Sequence, residues 1–139
     1  MTKLRAGFTG TRKGMTDAQK RQFTRLLLRD IGYFVHGDCV GADADAHEVA
    51  RSIGVWTELR PCNLRSQRAF CQEADHTWPV KPPLERNRDI VNSVDVMFAC
   101  PSGFEEEQRS GTWATMRYAR KHNRVLVIIW PDGTLGINW

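Results

Sequence analysis

Apolar positions along the chain switch between two spacings. Leu4–Thr9 (LRAGFT) is short and apolar enough for a strand and runs into Gly10-Thr11-Arg12-Lys13-Gly14, a loop by composition. Thr16-x-x-Gln19 is a capping-box signature, and Phe23, Leu26, Leu27 and Ile31 follow at helical spacing, which predicts a one-sided helix ended by Gly32. Tyr33–His36 reads as a second strand, cut off by the loop Gly37-Asp38-Cys39-Val40-Gly41. A helix then begins near Ala42 or Asp43, buries Ala46, Val49, Ala50 and Ile53, and stops at Gly54. Val55–Leu59 is a third strand, ended by Pro61. Residues 62–83 are the least regular stretch, with a short helix expected within Arg65–Ala74 and loop from Trp78 to Pro83. Leu84–Ser93 reads as helix and Val94–Cys100 as a fourth strand. Beyond the polar loop Ser102–Ser110, a helix runs from Gly111 or Thr112 to His122, and Arg124–Trp130 is a continuous apolar strand. The tail Thr134–Trp139 is expected to pack through Leu135, Ile137 and Trp139.

Alternating strands and helices imply a parallel sheet covered on both faces. The expected fold is therefore α/β: a single Rossmann-like domain over 1–139, with a mainly parallel five-stranded sheet. A chain of 139 residues that is 41% hydrophobic and 26% charged is globular and of one-domain size. Its longest apolar run, Val125–Trp130, falls far short of the ~20 residues that span a bilayer, so no membrane partner is expected. Met1-Thr2-Lys3-Leu4-Arg5 has the charge of a signal peptide but no apolar stretch behind it, which points to the cytoplasm. Cys39, Cys62, Cys71 and Cys100 form no CxxC pair and read as reduced thiols; with His76 the last three fit no zinc ribbon or finger, and no metal or cofactor is expected.

The net charge of +4 admits an anionic ligand. Residues 1–35 carry eight bases and two acids, while 36–50 carry Asp38, Asp43, Asp45 and Glu48 and no base. Lys20, Arg21, Arg25 and Arg29 read as a solvated helix face, so a nucleic acid is the lesser expectation beside a small molecule. Asp43 and His47 share a helix face, but Asp43 reads as a helix cap and no fourth metal ligand has suitable spacing.

Ligands of such sheets bind beyond the carboxyl ends of the strands. Thr9-Gly10-Thr11-Arg12, His36–Asp43 and Pro101-Ser102-Gly103 leading to Ser110-Gly111-Thr112 all lie there. Each loop is glycine-rich and opens a helix, a setting in which backbone N–H groups approach an anion. Any one of these loops is ordinary punctuation between strand and helix, whereas three at one sheet edge point to a phosphate-bearing ligand. Arg12 and Arg86 can pair bidentately with phosphate, and Trp113 is placed to stack on a base. The pattern is neither GxGxxG with a distant acid nor a Walker A loop, which opposes dinucleotide redox chemistry and P-loop hydrolysis.

TGTR at 9–12, HGDCVGAD at 36–43, PPLERNRDIV at 82–91, Asp95 and the loop running to SGT at 110–112 together resemble the SLOG superfamily of SMF/DprA and LOG-type Rossmann-like proteins. Within it they resemble the small stand-alone YspA-like branch most. The resemblance spans about residues 4–130 and implies a site for nucleotides or their derivatives. LOG-type members hydrolyse the N-glycosidic bond of nucleoside 5′-monophosphates with an arginine ahead of the fourth strand and a glutamate in PGGxGTxxE. Arg86 matches the arginine by its spacing to Asp95. Thr115 stands at the glutamate position, PGG is Pro101-Ser102-Gly103, and Phe104–Arg109 is inserted before SGT. A replacement carboxylate would come from Asp38, Asp43 or Glu105, Glu106 and Glu107.

The expectation is thus a nucleotide-binding sensor or sequestering module that assembles as a homo-oligomer. Phosphate would sit on Gly10, Thr11, Arg12, Gly111 and Thr112. Gly37, Asp38, Gly41, Ala42, Asp43, Arg86, Asn87, Gly103, Ser110 and Trp113 complete the expected ligand-binding set. Catalytic candidates are Arg86, Asp38 and Glu105–Glu107. Two alternatives stand beside it: an N-glycosidase acting on nucleotides, and a DprA-like binder of single-stranded DNA.

Overall fold

The computed structural model describes residues 3–137. The chain alternates β1 (Leu4–Gly10), α1 (Asp17–Leu27), β2 (Ile31–His36), α2 (Ala42–Ser52) and β3 (Trp56–Leu59). After a 3₁₀ turn at Arg65–Gln67 come β4 (His76–Thr77), α3 (Pro83–Asn92), β5 (Val96–Cys100), α4 (Gly111–Lys121), β6 (Val125–Ile129) and β7 (Leu135–Ile137). The strands form one sheet in the order β4-β3-β2-β1-β5-β6-β7. All pairings are parallel except that of β7 with β6.

The sheet therefore has seven strands where five were expected. The five legible strands form its parallel centre. The two additions are strands of two and three residues at the edges, too short to carry a period-2 signal. β7 returns through the turn Pro131-Asp132-Gly133, where Gly133 has φ +85° and donates to the Trp130 carbonyl at 2.7 Å. Of the tail residues expected to pack, Leu135 and Ile137 are exposed at 44% and 70%, and Trp139 lies outside the described residues.

Two further boundaries differ from expectation. Helix α1 ends at Leu27 because Asp30 takes a left-handed turn (φ +48°), and Ile31 opens β2 instead of closing the helix. Residues 65–74 hold only the 3₁₀ turn, because this stretch is fastened by side chains and by a single backbone bridge between Arg68 and Cys39 instead of by helical bonds.

Each sheet face buries its own core. Phe8, Phe34 and Phe98 pack with Phe23 of α1 and with Ala42, Ala46 and Ala50 of α2. The ring centroids of Phe23 lie 5.3 Å from Phe8 and 5.4 Å from Phe34. On the opposite face Met97, Ala99, Leu126 and Ile128 pack beneath Ile90 and Val91 of α3 and Trp113 and Met116 of α4. All of β5 is buried, which is why its run VMFAC shows no alternation.

Helix α1 is held at its entry by the expected capping box: Gln19 N donates to Thr16 Oγ1, and Gln19 Oε1 accepts from Thr16 N, both at 3.0 Å. The buried Gln19 amide also donates to the carbonyls of Pro101 and Ile129, each at 2.9 Å, tying α1 to the ends of β5 and β6. No helix among the described residues is long and apolar enough to cross a membrane.

Candidate functional site

The strand order reverses direction at β1: β2 follows on one side, and the chain later returns to lay β5 on the other. Such a switch point opens a crevice beyond the strand carboxyl ends. The crevice is present as a cavity of about 370 Å³, within the range of small-molecule sites. Its walls are the end of β1 (Phe8 to Arg12), the start of α3, and the segment Glu107–Thr112 leading into α4.

Backbone bonds stitch these walls together. Thr11 N donates to Cys100 O at 3.0 Å, and Ala42 N donates to Thr11 O at 2.9 Å. Gly41 has φ +93°, and a Cβ there would overlap the Arg12 backbone, so only glycine allows α2 to start against this loop. At α4, the Ser110 hydroxyl caps Trp113 N at 3.3 Å. The first N–H groups of the helix, at Gly111 and Thr112, have no intrahelical acceptor and stand at the cavity wall. A Cβ on Gly111 would meet nothing within 4 Å.

Of the expected ligand-binding residues, Gly10, Thr11, Arg12, Gly37, Asp43, Arg86, Asn87, Ser110, Gly111 and Thr112 line this one cavity. Asp38, Gly41, Ala42, Gly103 and Trp113 do not. Gly41 and Ala42 lie behind the β1 loop, and Gly103 is on the outer loop. Trp113 is 1% exposed and packs in the core against Trp130, 6.1 Å between ring centroids, so no ring face is left for a base.

Arg86 is buried and mostly occupied. Its Nε donates to Asn87 Oδ1 at 2.7 Å, and its Nη1 to the carbonyls of Gly37 at 2.5 Å and Arg60 at 3.3 Å. Among the described residues Nη2 bonds only to the Cys39 sulfur, at 3.5 Å. Bidentate pairing with phosphate is therefore closed to Arg86; one arm remains.

Asp38 is fully buried and turned away from the cavity. With φ +57° its carboxylate meets Arg68 Nε and Cys71 N, both at 2.8 Å, and so fastens the segment after the 3₁₀ turn. Asp43, in the first turn of α2, accepts Gly37 N and Cys39 N on Oδ2, each at 3.1 Å. Burial raises its pKa to about 6, against the lowering effect of those two bonds and of Arg86. Burial likewise pushes the Cys39 thiol up to about 12, which keeps it protonated and unreactive.

The inserted loop separates its three glutamates. Glu107 reaches the cavity rim beside Arg109, Glu106 pairs with Arg117 at 2.8 Å, and Glu105 is exposed outside the cavity. Thr115 is 3% exposed and donates to Gly111 O at 2.9 Å, away from the cavity lining.

A pair of buried histidines escaped sequence reasoning. Asp38 N donates to His36 Nδ1 at 3.0 Å, which leaves the His36 proton on Nε2. That N–H faces His47 Nδ1 at 2.9 Å, and His47 Nε2 in turn donates to Gln72 O at 2.6 Å. Burial, then His47 and Arg86, hold the His36 pKa well below its ordinary value. Together with Cys71 these rings form a group of three ligating side chains. An ion there would need the His36 Nε2 lone pair, and the Asp38 N–H holds that ring in the opposite tautomer. The donor set does not fit a metal. Among the described residues the trio Cys62, His76 and Cys100 is not gathered with Cys71, and all four cysteines are free.

Gln67, Leu84 and Arg109 also line the cavity and were missed. Arg109 was findable, since it directly precedes the SGT turn. Gln67 reaches the cavity from the irregular insertion, where no local pattern marks it.

The fold and the switch-point cavity define a Rossmann-like α/β protein with room for a small molecule. No family model matches the chain, and no curated protein is significantly similar to it. Among solved structures, the chain is similar to the molybdenum cofactor binding protein from the phototrophic bacterium Rippkaea orientalis. The two are 20% identical over 94% of this chain and 78% of that one, with a TM-score of 0.70. At that identity the likeness shows the shared fold.

Proposed function

We propose that this protein binds a nucleotide or nucleotide-derived small molecule at the switch-point cavity, as a cytoplasmic sensor or sequestering module of the SLOG type. The observation that carries the reading is the meeting of Thr9–Arg12 with the open N-terminus of α4 at Gly111 and Thr112. Two sets of donors with Arg12 and Arg109 on the rim suit a phosphate group. The apolar wall of Phe8, Leu84 and Ile90 suits the flat face of a heterocycle. Thr115, Glu105 and Glu106 lie away from the cavity, whereas Asp43 and Glu107 line it, so base release from a nucleotide panel is the test that separates binding from hydrolysis. Assembly as a homo-oligomer is part of the same proposal, and sedimentation velocity tests it.

A second reading has one observation behind it. The similar solved structure is of a molybdenum cofactor binding protein, so a cofactor of that kind is the rival occupant. Mass spectrometry of small molecules released from the purified protein, with molybdenum analysis of the same sample, separates the two. A released nucleotide, or a thermal shift with a nucleotide panel, supports the first reading. Stoichiometric molybdenum without nucleotide overturns it. Steeply salt-dependent oligonucleotide binding with no nucleotide response would support the DNA-binding alternative instead.

A further inference from the structure

One carboxylate oxygen open to the cavity has no protein partner among the described residues. Asp43 is 4% exposed and lines the cavity. Its Oδ2 is bonded to Gly37 N and Cys39 N, while Oδ1 accepts no hydrogen bond among the described residues. The first turn of α2 and the two loop bonds fix the direction in which that oxygen is presented. Arg86, from α3, brings its Nη2 arm to the same end through the Gly37–Cys39 loop. This end of the cavity thus offers one anionic acceptor beside one cationic donor. The α4 end offers the N–H groups of Gly111 and Thr112 and the side chain of Arg109, with Glu107 at the rim.

The two ends suit different parts of a ligand. A carboxylate repels phosphate, so the anionic group belongs at α4 and the β1 loop. A carboxylate oxygen held in place and open to the cavity accepts an incoming O–H or N–H in a charge-assisted hydrogen bond. We propose that Asp43 Oδ1 is the specificity-determining acceptor of this site, selecting phosphate-bearing ligands whose other end presents a ribose hydroxyl or a base N–H. The inference rests on the nucleotide reading and deepens it.

The Asp43→Asn variant is a clean probe. Its amide oxygen can keep both loop bonds, while its NH₂ replaces the acceptor facing the ligand with a donor. A purely loop-holding Asp43 would leave binding unchanged by this substitution. The pH profile is the second readout. Asp43 is surrounded by Arg86 from α3, Asp38 and Cys39 from its own loop, Cys71 from the insertion and Cys100 at the end of β5, with Arg12, Glu107 and Arg109 at the rim. Burial raises the thiols of Cys39, Cys71 and Cys100, which stay neutral throughout a titration from pH 5 to 7.5.

The experiment is titration calorimetry of the full chain, wild type and Asp43→Asn, with AMP, 2′-deoxy-AMP, IMP and ribose 5-phosphate at pH 5 and 7.5. The expected result is about a tenfold or greater loss of affinity in the variant at pH 7.5, the scale of a hydrogen bond to a charged group, with an unchanged melting temperature. Wild-type affinity falls at pH 5 more than that of the variant. The phosphate's own proton, taken up near pH 6, weakens both proteins alike. Loss with 2′-deoxy-AMP assigns the donor to the ribose, and loss with IMP assigns it to the base; either supports the proposal. Equal affinities and equal pH profiles for the two proteins overturn it while leaving the nucleotide reading standing. Binding of none of these ligands by the wild type overturns both.

Discussion

Arg86 joins two roles that its position ahead of β5 does not separate. Nε and Nη1 bind together the loop at Gly37, the end of β3 at Arg60 and its own neighbour Asn87. Arg86→Ala should therefore cost about 2–4 kcal/mol of stability, since two buried carbonyls lose a charged donor. It should also weaken nucleotide binding by at least ~1.5 kcal/mol. Denaturant unfolding and calorimetry on the same variant measure the two separately. The glycines divide in the opposite manner. Gly111→Val should leave the melting temperature nearly unchanged and block ligand binding, because its side chain enters open cavity. Gly41→Val should cost more than ~3 kcal/mol, since positive φ and the Arg12 backbone both oppose it. Thermal melts of the pair read the contrast. Much of this site was legible in the sequence because its ligand-facing atoms are backbone groups, and backbone exposure is written in glycines and small hydroxyls. Which aspartate of HGDCVGAD faces the cavity was not legible: Asp38 is turned by its positive φ towards Arg68 and Cys71, thirty residues away in the chain.

The segment between β3 and α3 is held by side chains from the framework. Asp38 takes Arg68 and Cys71, His47 takes Gln72, and Asp75 meets Arg51 at 2.6 Å and Thr57 N at 2.8 Å. Further along, Glu58 of β3 accepts from Tyr33 Oη, Trp56 Nε1 and Trp78 Nε1 at 2.7–2.8 Å. Burial alone would raise the Glu58 pKa, and these three donors outweigh it and lower it. Irregular backbone bonded in this way carries no periodic pattern, which is why composition predicted a helix within Arg65–Ala74 where only one 3₁₀ turn exists. The central strands and four helices were legible because each buries a stripe or a full face. Asp38→Ala leaves Arg68 unpaired and should cost about 3–5 kcal/mol, the scale for breaking a buried ion pair. Limited proteolysis should then cut within 65–75 first, with the sheet still intact by circular dichroism.

For the molecule as a whole, acid acts through two buried groups in opposite senses. The His36 pKa is depressed in the fold, so below about 6.5 the unfolded chain takes up a proton that the folded one refuses, and stability falls. The Asp43 pKa is raised to about 6 from 3.8, so between those values the folded chain binds the extra proton and acid stabilises it. Each contributes at most about 1.4 kcal/mol per pH unit. In the wild type the two oppose one another below pH 6, for as long as His36 of the folded chain stays neutral. Asp43→Asn removes the compensating group and should lose stability more steeply over that range, as urea unfolding at stepped pH will show. An equal slope in both proteins would place the Asp43 titration outside this window.

The placement of β5 beside β1 has a consequence in time as well as in space. A chain leaving the ribosome presents β1, β2, β3 and their two helices within its first sixty residues, enough for half a sheet and one wall of the cavity. The opposing wall comes only with Ser110–Thr112, after β5 has inserted along the free side of β1. Joining strands so distant in sequence is the slow part of assembling such a sheet. A stalled or truncated chain consequently has the loops but no enclosed cavity. Ligand occupancy distinguishes finished molecules from unfinished ones, and stabilises only the former.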